Sequence, residues 1–185
     1  MMQIDQAINA LKQGRVIAYP TEAVFGVGCD PDNEQALQAL MTLKQRDPDK
    51  GLILIAANFE QLLPYVDVSD LSQEQLDRVF ESWPGPVTWV MPVSEKVHQL
   101  VHGAFDSVAV RVTDHPLVQQ ICIQFSKPIT STSANLSGLP PCLDANEVEN
   151  QLGSEDVFIV HGSVGGRTKP SQIKDVKSLQ VLRQG

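Results

Sequence analysis

Short apolar runs with the length of strands alternate with amphipathic segments with the length of helices along this 185-residue chain. Residues 52–56 are wholly apolar, as expected of a buried strand, whereas residues 33–43 repeat apolar side chains at helical spacing. Such alternation is typical of α/β proteins. We therefore predict a single α/β domain over residues 1–185, built on a mixed sheet of six to eight strands. Short gaps near residues 86–112 and 157–183 favour some antiparallel pairing.

The individual segments can be placed by their apolar spacing and by the residues that flank them. Helices are predicted at residues 4–13, 33–43, 58–63, 72–80, 116–125 and 144–152, and strands at 16–19, 52–56, 87–92, 108–112, 129–132, 157–160, 171–176 and 178–182. Helix starts carry residues that can cap the first turn, namely Asn33 or Asp32, Ser72, Asp114 and Asp144. Gly26 and Gly28 permit either a close backbone approach to a ligand or a tight bend.

Composition excludes several classes of protein. Hydrophobic residues make up 42% of the chain and the mean hydropathy is −0.09, which fits a globular rather than a disordered protein. No apolar stretch approaches the roughly 18 residues of a membrane span, and the N-terminus lacks the features of a secretory signal. We therefore expect a cytoplasmic protein with no membrane partner. The three widely spaced cysteines form no C-x-x-C pair, which predicts reduced thiols rather than disulfides or a Cys-rich zinc site.

Charge and motif searches narrow the function further. A net charge of −8 disfavours broad nonspecific binding to nucleic acid but leaves room for a local basic cleft. His98 and His102 lack a third metal ligand and are interpreted as ordinary solvent-facing side chains, so no metal site is predicted. Residues 161–169 lack the Gly-Lys-Ser/Thr of a P-loop, and we predict a flexible loop near a ligand there.

Polar side chains that suit an anionic ligand occur in separate groups along the chain. Lys44 and Arg46, with Lys50 close behind, follow a predicted helix, and a Ser-Thr-Ser-Ala-Asn-Leu-Ser-Gly segment at 131–138 follows a predicted strand. Arg111 lies inside an apolar strand, where a charge is costly to bury without a partner. Cations and hydroxyls at the ends of strands and helices suit a phosphate-bearing ligand.

Each of these groups also has a purely structural interpretation. Lys44 and Arg46 would be favoured at a helix C-terminus by the helix dipole. The serines of the 131–138 segment could be turn residues, with Asn135 in a left-handed conformation. Arg111 could simply pair with Glu22. The residues alone leave these alternatives open.

The order and spacing of the whole set resemble the YrdC-like family, and within it the short bacterial form. The resemblance runs from about residue 5 to Gly185. It rests on Pro-Thr-Glu-Ala-Val-Phe-Gly-Val-Gly at 20–28, Lys-x-Arg at 44–46, Val-Ala-Val-Arg-Val-Thr-Asp-His-Pro at 108–116, Ser-Thr-Ser-Ala-Asn-Leu-Ser-Gly at 131–138 and Leu-Arg-Gln-Gly at 182–185.

This resemblance implies an open, strongly twisted sheet with a positive concave face and an enzyme that makes L-threonylcarbamoyl-adenylate. Its substrates would be L-threonine, bicarbonate and ATP, with Mg²⁺ on the ATP phosphates and pyrophosphate as a product. A protein complex would then transfer the threonylcarbamoyl group to adenosine 37 of tRNA, and direct contact with tRNA is possible. All species on this path are anionic, so cations are the main requirement of the site.

The resemblance also assigns roles to individual residues. Lys44 and Arg46 would be the catalytic pair. Contacts to ATP are implied for Lys44, Arg46, Ser107, Ser133, Asn135 and Arg183. Lys50 stands where many longer relatives have Asn, and our own hypothesis is that it makes a compensating contact to a phosphate. Contacts to threonine are implied for Thr21, Arg111, Ser131 and Ser171, and the carboxylate is expected at the Arg111 guanidinium, whose two parallel N–H groups match a carboxylate.

Two other functions compete with this interpretation. An RNA-binding or ribosome-maturation protein would use the same positive groove without chemistry, although the acidic net charge and the lack of interleaved aromatic and basic residues disfavour it. A relative that keeps the nucleotide chemistry but uses a different acyl acceptor is the other alternative.

Overall fold

The computed structural model describes residues 2–185, in which nine strands and six α-helices alternate. The helices are α1 Met2–Lys12, α2 Glu34–Lys44, α3 Gln73–Ser82, α4 Gln99–His102, α5 Pro116–Phe125 and α6 Ala145–Leu152. The strands are β1 Val16–Pro20, β2 Phe25–Gly28, β3 Ile53–Ala56, β4 Val87–Pro92, β5 Ser107–Val112, β6 Ile129–Ser133, β7 Val157–Ile159, β8 Gln172–Asp175 and β9 Val181–Arg183. Short 3₁₀ turns lie at Pro48–Lys50 and Leu63–Tyr65.

All nine strands form one mixed sheet in the order β7-β1-β2-β6-β3-β5-β4-β8-β9. The pairs β1–β7, β3–β5 and β4–β8 are parallel, and the other neighbours are antiparallel. The α/β class and the mixed direction predicted from the sequence are confirmed. The predicted antiparallel pairing is found between β4 and β5 and between β8 and β9, whereas β7 lies at the opposite edge of the sheet from β8 and β9.

The number of strands exceeds the predicted six to eight because β2 has no strand-like sequence. It reads Phe-Gly-Val-Gly, and its two glycines suggested a bend or a ligand contact. A Cβ atom on Gly28 would lie 1.7 Å from the carbonyl oxygen of Thr130, so this position admits only glycine. The glycine therefore serves the close approach of two segments of the sheet.

Both faces of the sheet are covered by apolar layers. Alternation along β1 places Val16 and Ala18 in one cluster and Ile17 and Tyr19 in the other. Helices α1 and α5 pack together over the second face, and α2 contributes to the first. All five residues of β1 are buried as a result.

Two predicted elements differ from the structure. Residues 58–62 form a turn rather than an α-helix and lead into the 3₁₀ turn at 63–65, because Pro64 has no N–H to continue a helix. The Asn58 Oδ1 accepts from the Gln61 amide at 3.1 Å, and the Gln61 Oε1 accepts from the Ala57 amide at 2.9 Å. The predicted loop between β4 and β5 contains α4, which His98 caps through its Nδ1, 3.1 Å from the Leu100 amide.

The predicted caps are confirmed at three helices and wrong at one. Asn33 and Ser72 cap α2 and α3 through their side chains. Asp144 caps α6, although the Glu147 carboxylate turns to the Leu143 amide rather than closing the capping box. Asp114 does not cap α5; the residue at that position is His115, which makes no side-chain cap bond.

Two predictions about chain chemistry can also be compared with the structure. All three cysteines are free and buried, as expected. Across residues 2–185 no helix combines the length and apolar character needed to cross a bilayer.

Candidate active site

One cavity of about 760 Å³ runs across the middle of the sheet and over its edge formed by β8 and β9. Strands β2, β3, β4, β5, β6, β8 and β9 all contribute to its wall, together with the loops that follow β1, α2 and β7. Cationic side chains on the wall are Arg46, Lys50, Arg111, Arg167, Lys169 and Arg183, and the carboxylates are Glu22 and Asp175. Cations outnumber carboxylates three to one here, in a chain whose net charge is −8.

Strand alternation explains how Arg111 comes to face this cavity. Ser107, Ala109 and Arg111 lie on the cavity side of β5, while Val108 and Val110 face the apolar cluster on the other side. Strand β5 therefore places a guanidinium on the wall of the cavity, where Arg111 is only 8% exposed.

Glu22 is the counterion that makes this burial tolerable. Its Oε2 lies 3.1 Å from the Arg111 Nη1, and its Oε1 accepts from the Thr113 hydroxyl at 2.6 Å and the Asp114 amide at 3.3 Å. Burial alone would raise the pKa of Glu22, but the Arg111 charge and the Thr113 hydroxyl outweigh it and lower that pKa. The structural interpretation of Arg111 as the partner of Glu22 is thus confirmed, and Arg111 lines the cavity as well.

Lys44 lies behind the cavity wall rather than on it. The Gln45 residue adopts a left-handed conformation with φ 47°, which ends α2 and turns the chain toward Arg46. The Lys44 Nζ donates to the Ser133 carbonyl at 2.6 Å, to the Asn135 carbonyl and to the Asn135 Oδ1 at 3.2 Å. These acceptors belong to the end of β6 and the segment after it, so the helix dipole alone does not account for this lysine.

The two cations of the Lys-x-Arg pair therefore occupy different environments. Burial, followed by the charge of Arg46, lowers the pKa of Lys44 to about 8. Arg46 donates from Nε and Nη2 to the Gly51 carbonyl at 3.0 and 2.8 Å, and its Nη1 lies 3.4 Å from the Thr132 hydroxyl. Arg46 reaches the cavity, whereas Lys44 supports the segment at 133–135 from behind.

Ser133 and Asn135 also differ in whether they reach the cavity. The Ser133 hydroxyl donates to the Asn135 Oδ1 at 2.7 Å, and the Asn135 Nδ2 donates to the carbonyls of Leu136 and Leu139 at 2.9 and 3.0 Å. Ser133 lines the cavity and Asn135 does not. The suggested left-handed conformation of Asn135 is not found, because its backbone φ is not positive.

The residues expected around threonine all belong to the cavity wall. Thr21, Arg111, Ser131 and Ser171 all line it, and the Thr21 hydroxyl donates to the Val24 carbonyl at 2.7 Å. The Arg183 Nη2 donates to the Ser171 carbonyl at 2.7 Å. Partial burial and then the Arg111 charge lower the pKa of Arg183, so the two guanidinium groups act on each other.

The remaining predicted contacts, Lys50 and Ser107, also line the cavity. The loop at 161–170, predicted to lie near a ligand, supplies Arg167 and Lys169 to the wall. It is fixed to the residues after β1 by bonds from the Gly165 amide to the Thr21 carbonyl at 2.9 Å and from the Arg167 amide to the Glu22 carbonyl at 3.0 Å.

Sequence reasoning missed several wall residues. His102 and Phe105 border the cavity, and the His102 Nδ1 lies 2.7 Å from the Phe105 carbonyl, so this histidine is not merely solvent-facing. Asp175 and Leu182 come from the last two strands. An aromatic residue in a predicted loop, Phe105, was a signal that the sequence does contain. Nothing in the sequence places it on the same wall as Leu182. Among the residues that the structure describes, no group of three His, Cys, Asp or Glu side chains could hold a metal ion.

This chain is similar to known proteins along almost its whole length. Residues 9–185 match the Sua5_yciO_yrdC family model, described as "Telomere recombination". A Vibrio parahaemolyticus protein named threonylcarbamoyl-AMP synthase is 64% identical over 185 residues, which is the full length of both chains.

Solved structures agree with the fold. P. abyssi Sua5, crystallised in complex with L-threonine, superposes with a TM-score of 0.88 at 31% identity over 97% of this chain and 53% of that one. E. coli YciO, at 23% identity, shares the fold with a TM-score of 0.85 over 98% of this chain and 88% of its own. On the family match, the full-length relatives and the shared fold, this chain belongs to the Sua5/YciO/YrdC family.

Proposed function

We propose that this protein is a threonylcarbamoyl-AMP synthase, which forms L-threonylcarbamoyl-adenylate and pyrophosphate from L-threonine, bicarbonate and ATP. The observation that carries the proposal is the full-length, 64% identical relative of that name. The cavity is consistent with it, since hydroxyls and guanidinium groups line one continuous space large enough for a nucleotide and an amino acid.

The amino acid fits best beside Arg111. One Nη of the Arg111 guanidinium lies next to the Glu22 carboxylate, and the other N–H groups can donate to the carboxylate of a ligand. Thr21, Ser131 and Ser171 line the same cavity, and their hydroxyls suit the polar groups of threonine. The L-threonine complex of P. abyssi Sua5 supports an amino-acid site in this fold.

The nucleotide phosphates fit best along Arg46, Lys50 and Ser133, with Arg183 and Ser107 as further contacts. Lys44 and Asn135 support Ser133 from behind the wall, and the Lys44 charge adds to the field that the phosphates meet. The catalytic pair proposed is therefore Arg46, in contact with the phosphates, and Lys44, which holds the wall beside it.

Mg²⁺ would enter as part of the ATP complex. Of the two carboxylates on the cavity wall, Glu22 is already paired with Arg111, so the described residues offer no all-protein cage. The ion would be held by phosphate oxygens and water, and its charge would neutralise the triphosphate.

The reaction at this site requires two bond-forming steps. The neutral threonine amine adds to bicarbonate, which loses water and leaves a carbamate. A carbamate oxygen then attacks the α-phosphorus of ATP while the bond to pyrophosphate breaks. Both partners are anions, so the cations of the wall reduce their repulsion and align them for in-line attack. The product adenylate would pass to a threonylcarbamoyl-transfer complex acting on tRNA, in the cytoplasm.

The test is pyrophosphate release by the purified protein with ATP and Mg²⁺, adding L-threonine and bicarbonate singly and together. We expect release that requires both. Release with neither, or no release in any combination, would contradict the proposal. The RNA-binding alternative is not favoured, because the full-length relatives carry the name of a synthase.

A further inference from the structure

Unsatisfied buried polar atoms are concentrated at one place beside the cavity. Within residues 2–185, the buried side-chain nitrogen and oxygen atoms without a hydrogen-bond partner are the Glu22 Oε2, the Arg111 Nε and the His115 Nδ1. Native proteins rarely leave such atoms without a partner, and a cluster of them calls for a specific explanation.

These three side chains belong to one chain of contacts. The Arg111 Nη1 lies 3.1 Å from the Glu22 Oε2 as an ion pair that lacks hydrogen-bond alignment, and the Thr113 hydroxyl donates to the Glu22 Oε1 at 2.6 Å. The same hydroxyl accepts from the His115 amide at 3.0 Å, and the His115 Nε2 lies 3.1 Å from the Ser163 carbonyl. The ion pair on the cavity wall is therefore linked through Thr113 and His115 to the loop at 161–170.

The loop is also attached directly to Glu22. The Arg167 amide donates to the Glu22 carbonyl at 3.0 Å, and the Arg167 side chain pairs with Asp114 at 3.3 Å. A Cβ atom on Gly165 would lie 3.0 Å from the Glu22 Cα and carbonyl oxygen, so the loop packs against the backbone of this residue. Glu22 is consequently the point where the guanidinium, the end of β5 and the loop meet.

We infer that Glu22 is a positioning residue that sets the orientation of the Arg111 guanidinium for binding the substrate carboxylate. The inference rests on the proposed function, because it assumes that the amino acid places its carboxylate at Arg111. Glu22 faces a single Nη of Arg111 and leaves the Nε and the other N–H groups of the guanidinium to a ligand. Thr113 and the Asp114 amide in turn fix the Glu22 carboxylate.

An ordinary buried ion pair, important only for folding, predicts different behaviour. Loss of the Glu22 charge would then lower stability but would not selectively weaken the binding of a carboxylate. It would also leave Arg111 without its counterion, which by charge alone should strengthen binding of any anion. A positioning role predicts that recognition of a carboxylate becomes poorer in spite of this gain in positive charge.

The experiment compares steady-state pyrophosphate release by Glu22→Gln and the wild type. We expect the KM for L-threonine to rise about tenfold or more, with the KM for ATP changed less than about twofold. Glu22→Asp, which keeps the charge, should recover part of the loss. The matched control is Glu81→Gln, in the exposed ion pair with Arg78, and should leave both KM values unchanged.

L-Threoninamide, tested as a competitor, separates positioning from general damage because it has no carboxylate. The wild type should prefer L-threonine over the amide, and Glu22→Gln should lose most of that preference. Equal weakening of both compounds, or an unchanged KM for threonine, would overturn the inference. An inactive wild type would instead reject the proposed function, so the two failures are distinguishable.

Should Glu22→Gln fail to fold, Thr113→Val removes only the hydroxyl that holds the carboxylate and preserves the shape of the side chain. We expect a threonine KM about threefold higher with an unchanged KM for ATP. A Thr113→Val enzyme with the wild-type KM for threonine and the wild-type preference over the amide would contradict the inference.

Discussion

The Lys44 ammonium is held by oxygen atoms of residues 133 and 135 and is only 5% exposed. Its burial next to Arg46 favours the neutral form, whereas a triphosphate nearby would favour the charged form. The role of this residue therefore depends on its protonation, which changes close to physiological pH.

A pH profile tests this dependence. The pKa of Lys44 is lowered to about 8, so the free enzyme loses the positive charge as pH rises through that value. We expect kcat/KM for ATP to fall above about pH 8, by at most about tenfold per pH unit, the slope of a single ionisation. In Lys44→Arg the cation persists, and the falling limb should move to higher pH. An unmoved limb would assign the titration to another group.

Arg111 allows a second prediction at the scale of one side chain. Lysine keeps the positive charge but lacks the planar pair of N–H groups that matches a carboxylate. We expect Arg111→Lys to raise the KM for L-threonine about tenfold while changing the KM for ATP less than about twofold. The measurement is pyrophosphate release with each substrate varied in turn. If the ATP KM rose instead, Arg111 would be a nucleotide contact.

At the scale of elements, the site depends on where helices and strands end. The left-handed Gln45 ends α2 between Lys44, which points behind the wall, and Arg46, which reaches the cavity. No glycine or asparagine marks this turn in the sequence, and in the structure the amides of Gln45 and Arg46 bond back to carbonyls in the last turn of α2. The β2 strand likewise forms without strand-like sequence, because its neighbours β1 and β6 supply the partners.

Gly28 is where this packing is most sensitive to substitution. A Cβ atom there would lie 1.7 Å from the Thr130 carbonyl oxygen, so β2 and β6 would have to separate. We expect Gly28→Ala to lower the free energy of unfolding by about 3 kcal/mol or more in urea denaturation. Gly138→Asn is the control, since a Cβ atom added there would meet nothing within 4 Å and asparagine tolerates the positive φ of 87° better than most residues, and it should cost no more than about 1 kcal/mol. Equal stability of the two variants would show that the strands can shift.

At the scale of the molecule, the sheet brings together residues that are far apart in sequence. Strand periodicity predicted that Arg111 lies within a strand, and the resemblance to the family gathered Thr21, Arg46 and Ser133 into one site. The link from Glu22 through Thr113 to the loop could not be predicted, because it joins three segments whose contact depends on the positions of β1, β5 and β7 in the sheet. Local pattern predicts elements, and long-range register decides which side chains meet.

The distribution of charge over the molecule favours catalysis over RNA binding. Cations are concentrated on the cavity wall, while the chain as a whole carries a net charge of −8. A long polyanion must meet many cations along an open surface, whereas a triphosphate needs only the few that converge here.

We expect unmodified tRNA to bind no more tightly than about 10⁻⁴ M at about 150 mM salt, the weak end of nonspecific affinity. ATP turnover dependent on threonine should persist under the same conditions. Micromolar tRNA binding that Arg46→Ala abolishes would instead indicate that the cavity cations serve RNA.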